Sequence, residues 1–256
     1  MSLTLSNVHE DYDIKSPPPH PGQSWTRFVC VSDTHSRAYD VPPGDVLLHA
    51  GDLSMRGSLG ALQKTVKWIK TLPHPVKILI AGNHDVCLDK DLMGQFDPRE
   101  GKMLQDAIDL VRGEEAQKSG LHYLEYEATS FVCRGRKWKV FGSPAAPFYN
   151  YEGAFQYTDE DGAYKIYDQI PLDTDILLTH TPPYGIHDLT KKHKHAGCKY
   201  LTEKLQKPWS CRLHIWGHIH EAHGATILKT PGGERVNVNA AIDDSNLPII
   251  VDFRRH

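Results

Sequence analysis

Seven side chains in this sequence are of types that hold metal ions: Asp33, His35, Asp52, Asn83, His180, His218 and His220. Each follows closely on an apolar run of strand character. Residues 28–32 lead into Asp33-Thr34-His35, residues 46–50 into Gly51-Asp52, and residues 78–81 into Gly82-Asn83-His84-Asp85. Residues 176–179 lead into His180, and 213–216 into Gly217-His218-Ile219-His220. Carboxylate, amide oxygen and imidazole together suit Mn, Fe, Zn or Ni, whereas Ca and Mg prefer oxygen alone. Seven ligands exceed the needs of one ion. With one bridging carboxylate they serve two ions at four protein ligands each, and Asp52, alone on its strand end, is the natural bridge. Two ions about 3.5–4 Å apart bind a phosphate's free oxygens, hold a bridging hydroxide and neutralise the charge of an in-line displacement. His84 is not needed as a ligand. It is expected over the substrate, protonating the leaving oxygen or steadying the phosphorane. Asp85 is expected to hydrogen-bond the His84 imidazole and keep it protonated.

The elements that must position these groups are legible in the periodicity. Strands are expected near 27–32, 45–50 and 76–81. Between the last two, Leu59, Leu62, Val66, Ile69 and Leu72 form the apolar stripe of an amphipathic helix, stopped by Pro73 and Pro75. Strand–helix–strand of these lengths predicts a right-handed parallel crossover. A helix is expected over 97–119, ended by Gly120, and a hairpin at 130–133 and 137–141 around Arg134-Gly135. Residues 143–158 read as an aromatic, Pro-rich loop, followed by a helix at 160–168 and a strand at 175–179. A long loop over 182–198 precedes a helix at 199–206 and a strand at 212–216, and strands near 225–229, 235–239 and 248–253 close the chain. Gly217 lets the chain turn, so that His218 and His220 can reach neighbouring ions. Residues 1–24, with Ser16-Pro-Pro-Pro-His-Pro21, read as an irregular lead-in, and residues 25–256 as a single domain.

With 256 residues, 39% hydrophobic and 24% charged, the chain has the makings of a globular protein with a substantial core. A formal charge of −3 argues against an extended nucleic-acid track, which needs a basic face. It leaves room for a small phosphate ester or a nucleotide. No apolar run is long enough to span a bilayer, and residues 1–23 lack a hydrophobic signal core. The five cysteines are odd in number and none are paired as C-x-x-C, which reads as reduced thiols. The expected setting is cytoplasmic, without a membrane partner.

The series Asp33-x-His35, Gly51-Asp52, Gly82-Asn83-His84-Asp85, His180 and Gly217-His218-x-His220 resembles the calcineurin-like metallophosphoesterase superfamily, over about residues 27–253. Val31-Ser-Asp-Thr-His-Ser-Arg37, the Gly197-Cys198 pair and Arg212-Leu-His-Ile-Trp-Gly-His-Ile-His-Glu221 also resemble the subgroup called metallophosphoesterase-domain-containing proteins. The resemblance implies an α/β fold of two packed mixed β-sheets flanked by helices, in four layers. It implies one ion held by Asp33, His35, Asp52 and His220, the other by Asp52, Asn83, His180 and His218, and His84 as the catalytic histidine. Manganese is the favoured metal. The subgroup implies a phosphodiesterase acting on small substrates such as cyclic nucleotides. The alternatives are a phosphomonoesterase or protein phosphatase, and a metal-dependent binding module on the same fold. The protein Ser/Thr phosphatase branch carries Gly-Asp-x-Val-Asp-Arg-Gly where this chain has Gly51-Asp-Leu-Ser-Met-Arg-Gly57, which argues against a protein substrate.

Other residues have weaker claims. Arg37 and His187 are expected to contact substrate, and Asn150 to lie near the metals. His187, His193 and His195 share a loop with Lys191, Lys192 and Lys194 that reads mainly as a solvated basic segment. Phe148, Tyr149, Tyr151, Phe155 and Tyr157 either stack on a base or pack the loop onto a sheet. His49 and His214, inside apolar runs, read as satisfied core groups.

Overall fold

A computed structural model describes residues 6–93, 98–149 and 152–255. Asn150 and Tyr151, with the first residues of the lead-in and Asp97, lie outside the described residues. In chain order the elements are β1 (Ser6–His9), β2 (Trp25–Val31), β3 (Val46–Ala50), α1 (Leu59–Thr71), β4 (Val76–Ile80), α2 (Pro98–Arg112), α3 (Glu114–Lys118) and β5 (Leu121–Tyr123). There follow β6 (Glu127–Cys133), β7 (Arg136–Ser143), the short β8 (Ala146–Pro147) and β9 (Gln156–Tyr157), α4 (Glu160–Asp168) and β10 (Ile176–Thr179). The chain ends with α5 (Lys199–Leu205), β11 (Leu213–Trp216), β12 (Gly224–Thr230), β13 (Gly233–Asn239) and β14 (Ile249–Arg254).

Two six-stranded mixed sheets run in the orders β1-β14-β2-β3-β4-β5 and β12-β13-β11-β10-β7-β6. Strands buried on both faces read as continuous apolar runs, and alternate residues divide between the two faces. Phe28, Cys30, Val46, Leu48, Ile78 and Ile80 face Trp138, Val140, Ile176, Leu178, Leu213 and Ile215 across the gap between the sheets. The other face of the first sheet, with Val29, Leu47 and Leu79, packs on Leu62, Val66 and Ile69 of α1 and on Ala107 and Val111 of α2. Phe141 and Leu177 of the second sheet pack on Ala163 and Tyr167 of α4 and on Leu201 and Leu205 of α5. The result is the expected helix–sheet–sheet–helix sandwich. Strands β2, β3, β4 and β5 are parallel to one another, as are β7, β10, β11 and β13, so each sheet delivers its loops at one end.

Helix α1 starts where Ser58 accepts a hydrogen bond from the Ala61 N–H and stops before Pro73. The single helix expected over 97–119 is two, because Gly113 breaks it. The irregular lead-in is corrected more substantially. β1 pairs antiparallel with β14, Ser6 opposite Phe253 and His9 opposite Ile250. A partner strand so distant in sequence gives no local signal. The Pro-rich stretch is tied down as well. The buried Arg27 guanidinium donates to both Asp252 carboxylate oxygens (2.8 and 2.8 Å) and to the carbonyls of Pro18 (2.6 Å) and Pro19 (3.1 Å). Both members of this pair are at most 2% exposed. Asp252→Ala therefore strands a buried cation and is expected to lower the unfolding free energy by about 3–5 kcal/mol, read by urea titration.

Candidate metal centre

The metal-type side chains sit on five loops at the C-terminal ends of β2, β3, β4, β10 and β11, where the two sheets meet. The backbone is bent to bring them there. Asp33 (φ 56°), His35 (46°), Asp52 (53°) and His218 (67°) all lie in the left-handed region, at roughly 1–3 kcal/mol each. Main-chain bonds hold this path: Asp33 N–H to Gly51 O (2.9 Å), His35 N–H to Asp52 O (3.0 Å) and Gly217 N–H to His180 O (3.2 Å). Two motif glycines are there for close approach. A Cβ on Gly217 would stand 1.9 Å from Asp33 Oδ2, and one on Gly82 would stand 2.3 Å from Asp52 Oδ1.

The candidate donor atoms converge in two groups that meet at Asp52. In the first, His220 Nε2 lies 3.1 Å from Asp33 Oδ1 and 3.3 Å from His35 Nε2, and His35 Nε2 is 3.8 Å from Asp52 Oδ2. In the second, Asn83 Oδ1 faces His180 Nε2 at 2.9 Å and His218 Nδ1 at 2.8 Å, and His180 Nε2 is 3.4 Å from Asp52 Oδ1. His180 is aimed by its other nitrogen, whose hydrogen goes to the Ala50 carbonyl at 2.9 Å. That leaves the Nε2 lone pair pointing into the cluster, the arrangement metal-ligating histidines use. Asp33, Asp52 and His180 are buried.

The electrostatics agree with a cation site. Burial opposes ionisation of Asp33, but the His220 hydrogen bond and the nearby His180 and His35 outweigh it and hold its carboxyl well below the usual range. Burial, with the Asp33 and Asp85 carboxylates alongside, pushes Asp52 well up. Burial also lowers His35 to about 4 and His218 to about 3, while the Asp33 hydrogen bond raises His220. Neutral imidazoles around two crowded carboxylates are what a divalent transition ion binds. The donor set fits such ions.

His84 is poised beside this cluster, 43% exposed, with Nε2 3.9 Å from Asp52 Oδ2. Its backbone N–H donates to Asp52 Oδ1 (2.9 Å), and its Nδ1 meets the Met55 carbonyl at 2.8 Å. The expected Asp85–His84 contact is therefore corrected. The fully buried Asp85 turns the other way and accepts from Leu53 N (3.0 Å), Ser54 N (2.7 Å), Ser54 Oγ (2.8 Å) and Gly82 N (2.9 Å). Neighbours in sequence at a strand-end turn point apart. Burial pushes Asp85 up from the ordinary carboxylate value, and its four donors pull it back. Asp85 thus clasps the Asp52 loop to the Asn83 loop. Asp85→Ala leaves three buried main-chain donors, Leu53, Ser54 and Gly82, without an acceptor and is expected to cost about 3 kcal/mol or more in urea unfolding of the metal-free protein. Met55→Ala, which keeps the carbonyl, is expected to change kcat by less than about threefold.

Sequence reasoning had no means of finding Met55, since its contribution is main chain, and it passed over Ser54, whose hydroxyl also donates to the His84 carbonyl (3.1 Å). Arg37 and His187 do not join the cluster. The half-exposed Arg37 guanidinium pairs with Asp244. His187 Nε2 meets Thr226 Oγ1 at 2.7 Å, and its carbonyl accepts from Trp216 and Asn239. The 182–198 loop is exposed throughout its tip, Lys191–His195, and at Tyr184, Gly185 and Leu189. Its stem is ordered around the buried Asp188, which accepts from Gly185 N (3.0 Å) and Gly197 N (3.0 Å) and meets His195 Nδ1 at 2.6 Å. Of the aromatic residues in the 143–158 loop, Phe155 is buried and Tyr157 packs edge-on to Tyr167, while Phe148 and Tyr149 are exposed.

The family model described as Calcineurin-like phosphoesterase matches residues 26–222. Metallophosphoesterase domain-containing protein 1 of Homo sapiens is 34% identical over 246 residues, covering 92% of this chain and 73% of that protein. A protein of Emericella nidulans named Probable rhamnogalacturonate lyase C is 37% identical over 204 residues, 79% of this chain but 18% of that one. Among solved structures, TT1561 of Thermus thermophilus superposes with a TM-score of 0.51 at 14% identity, covering 83% of this chain and 88% of that chain. That last likeness is one of fold.

Proposed function

The chain belongs to the calcineurin-like phosphoesterase family, and we propose that within it this protein is a phosphodiesterase for small substrates, cyclic nucleotides among them. The coarser activity, metal-dependent hydrolysis of phosphoesters, follows from the family. In the proposed assignment Asp33, His35, Asp52 and His220 hold one divalent ion and Asp52, Asn83, His180 and His218 the other, with manganese favoured. When bound, the two ions supply positive charge to the phosphoryl oxygens and acidify a water molecule.

The chain's own residues do the rest. Asp52 joins the two halves of the cluster. The Met55 carbonyl takes the Nδ1 hydrogen of His84 and leaves Nε2, on the solvent side of Asp52, to carry a proton to the leaving oxygen. This juxtaposition, an oriented imidazole over a cluster of metal-binding side chains, is the observation that carries the reading. A scaffold for binding alone has no need of it.

One feature favours a diester. Among the described residues, no Lys or Arg is hydrogen-bonded to or ion-paired with the cluster or His84, and Arg37 is engaged with Asp244. A diester's single charge is served by that environment better than a monoester's two, which favour Arg or Lys clamps. Beside the site, the Ala154 N–H bonds the Asn83 carbonyl at 2.9 Å. The flanking Gly153 and Phe155 line a cleft of about 660 Å³ with Tyr126 and Phe148. Within a largely polar lining that includes Asp89, Asp91 and Glu125, these aromatic rings offer stacking surfaces for a nucleoside. No helix among the described residues is long and apolar enough to cross a membrane, and all five cysteines are free thiols, which supports a reducing, cytoplasmic setting.

The test compares bis(p-nitrophenyl) phosphate with p-nitrophenyl phosphate on protein stripped of metal and reloaded with Mn²⁺. Faster cleavage of the diester upholds the reading, and 2′,3′- and 3′,5′-cyclic nucleotides are then compared. A faster monoester makes the protein a phosphomonoesterase. Two bound ions with neither ester cleaved makes it a binding module.

A further inference from the structure

Beneath each half of the cluster lies a fully buried histidine that hydrogen-bonds none of the seven metal-type ligands. His49 lies on β3, in register with Val31 of the adjacent parallel β2, and His214 lies on β11, in register with Leu177 of the adjacent parallel β10. Each meets a buried threonine on the neighbouring strand or its loop. His49 Nε2 is 3.0 Å from Thr34 Oγ1, and His214 Nε2 is 2.9 Å from Thr179 Oγ1. Thr34 stands between Asp33 and His35, two of the three left-handed residues of its loop, and Thr179 immediately precedes His180. The same device thus occurs twice, once in each sheet, directly under a ligand loop.

The sequence reading of these histidines as satisfied core groups is half right. Each has one bonded nitrogen, and the other, Nδ1, has no hydrogen-bond partner among the described residues. At His214 the hydrogens can be assigned. Thr179 donates its own to the Thr181 carbonyl (2.7 Å), so its oxygen accepts from His214 Nε2–H and Nδ1 carries a lone pair. Burial keeps both rings neutral, His49 lowered to about 3 and His214 well below its ordinary value. A buried polar atom without a partner costs about 1–3 kcal/mol. An aliphatic side chain would fill either place without that cost. What the imidazole alone provides is a fixed polar partner for the threonine.

We propose that His49 and His214 are positioning residues, each holding one ligand loop in its metal-binding path through a single threonine hydroxyl, His49 for Asp33 and His35, His214 for His180. The proposal rests on the reading that these three residues bind the two ions.

Calorimetric titration of the metal-free full chain with Mn²⁺, alongside urea unfolding of the same metal-free protein, tests it. His49→Leu and Thr34→Val are expected to weaken one Mn²⁺ site about ten- to a hundredfold and spare the other, and His214→Leu and Thr179→Val to do the reverse. His49→Gln and His214→Gln, whose amide nitrogen reaches the place of Nε2, recover most of the loss. The metal-free Leu variants unfold at the same urea concentration as wild type or a higher one. Undiminished Mn²⁺ affinity in the Thr→Val variants overturns the proposal. So does a parallel loss of affinity and metal-free stability in the Leu and Gln variants alike, the mark of an ordinary core role. If the unaltered chain takes up no Mn²⁺, the metal reading falls and the proposal with it. If it takes up two and every variant does so equally well, the proposal falls alone.

Discussion

His84→Ala keeps its metals and loses turnover. The expected result is two Mn²⁺ per chain, as in wild type, with kcat on a diester lowered about 10²–10⁴-fold, the range for loss of a positioned proton donor. The geometry separates the two readouts. The His84 imidazole stands at the rim with Nε2 3.9 Å from Asp52, while the convergent Asn83, His180 and His218 contacts lie on the other side of that carboxylate. Alanine keeps the His84 backbone N–H on Asp52 and removes only the ring, which stands edge-on to His35 at 4.8 Å between centroids. A substrate with a very acidic leaving group, such as p-nitrophenolate, needs little protonation. The loss is therefore expected to be smaller on bis(p-nitrophenyl) phosphate than on an alkyl or ribosyl ester. Equal losses on both would remove the proton-donor role and leave charge stabilisation in its place.

Asp52→Asn is expected to take both ions away. One carboxylate oxygen lies towards His180 and the other towards His35, so each half of the cluster loses its shared negative charge at once. Loss of a group that merely orients a ligand weakens metal binding by about 10–100-fold, and a shared ligand is expected to exceed the upper end for both sites. Elemental analysis after gel filtration should give less than one ion per chain. Misfolding is not the expected cause. Without cations the Asp52 carboxylate sits buried beside those of Asp33 and Asp85, and the amide relieves that repulsion. It also keeps an oxygen for the His84 N–H. The metal-free variant should therefore unfold at the same urea concentration as metal-free wild type, or a higher one. One ion retained at full affinity would show that Asp52 serves a single site.

The seven metal-type residues stood out in the sequence because their types are poor choices for a strand end by packing alone and because five such ends carry them. The strands and the first crossover were legible because buried parallel strands read as unbroken apolar runs and α1 as a stripe, whereas the four-layer arrangement was what the family resemblance implied. What escaped has physical reasons. β1 has no pattern of its own, and its partner strand is at the far end of the chain. Asp85 looks like a partner for His84 because they are adjacent, yet the turn sends its side chain to the donors of another loop. The role of Met55 lies in an atom that every residue possesses. His49 and His214 are indistinguishable from packing residues until the threonines above them are located in space.

The use of the main chain at Met55 has a genetic consequence. A carboxylate that orients a catalytic imidazole can be lost by one base change, whereas the carbonyl of residue 55 is encoded by every codon. Its loss requires the loop to take another course, which is set by Ser54 and Asp85. Purifying selection on the orientation of His84 is thus expected to fall on positions 54 and 85. Position 55, with its side chain 45% exposed, is left to drift or to adapt to whatever substrate passes over it.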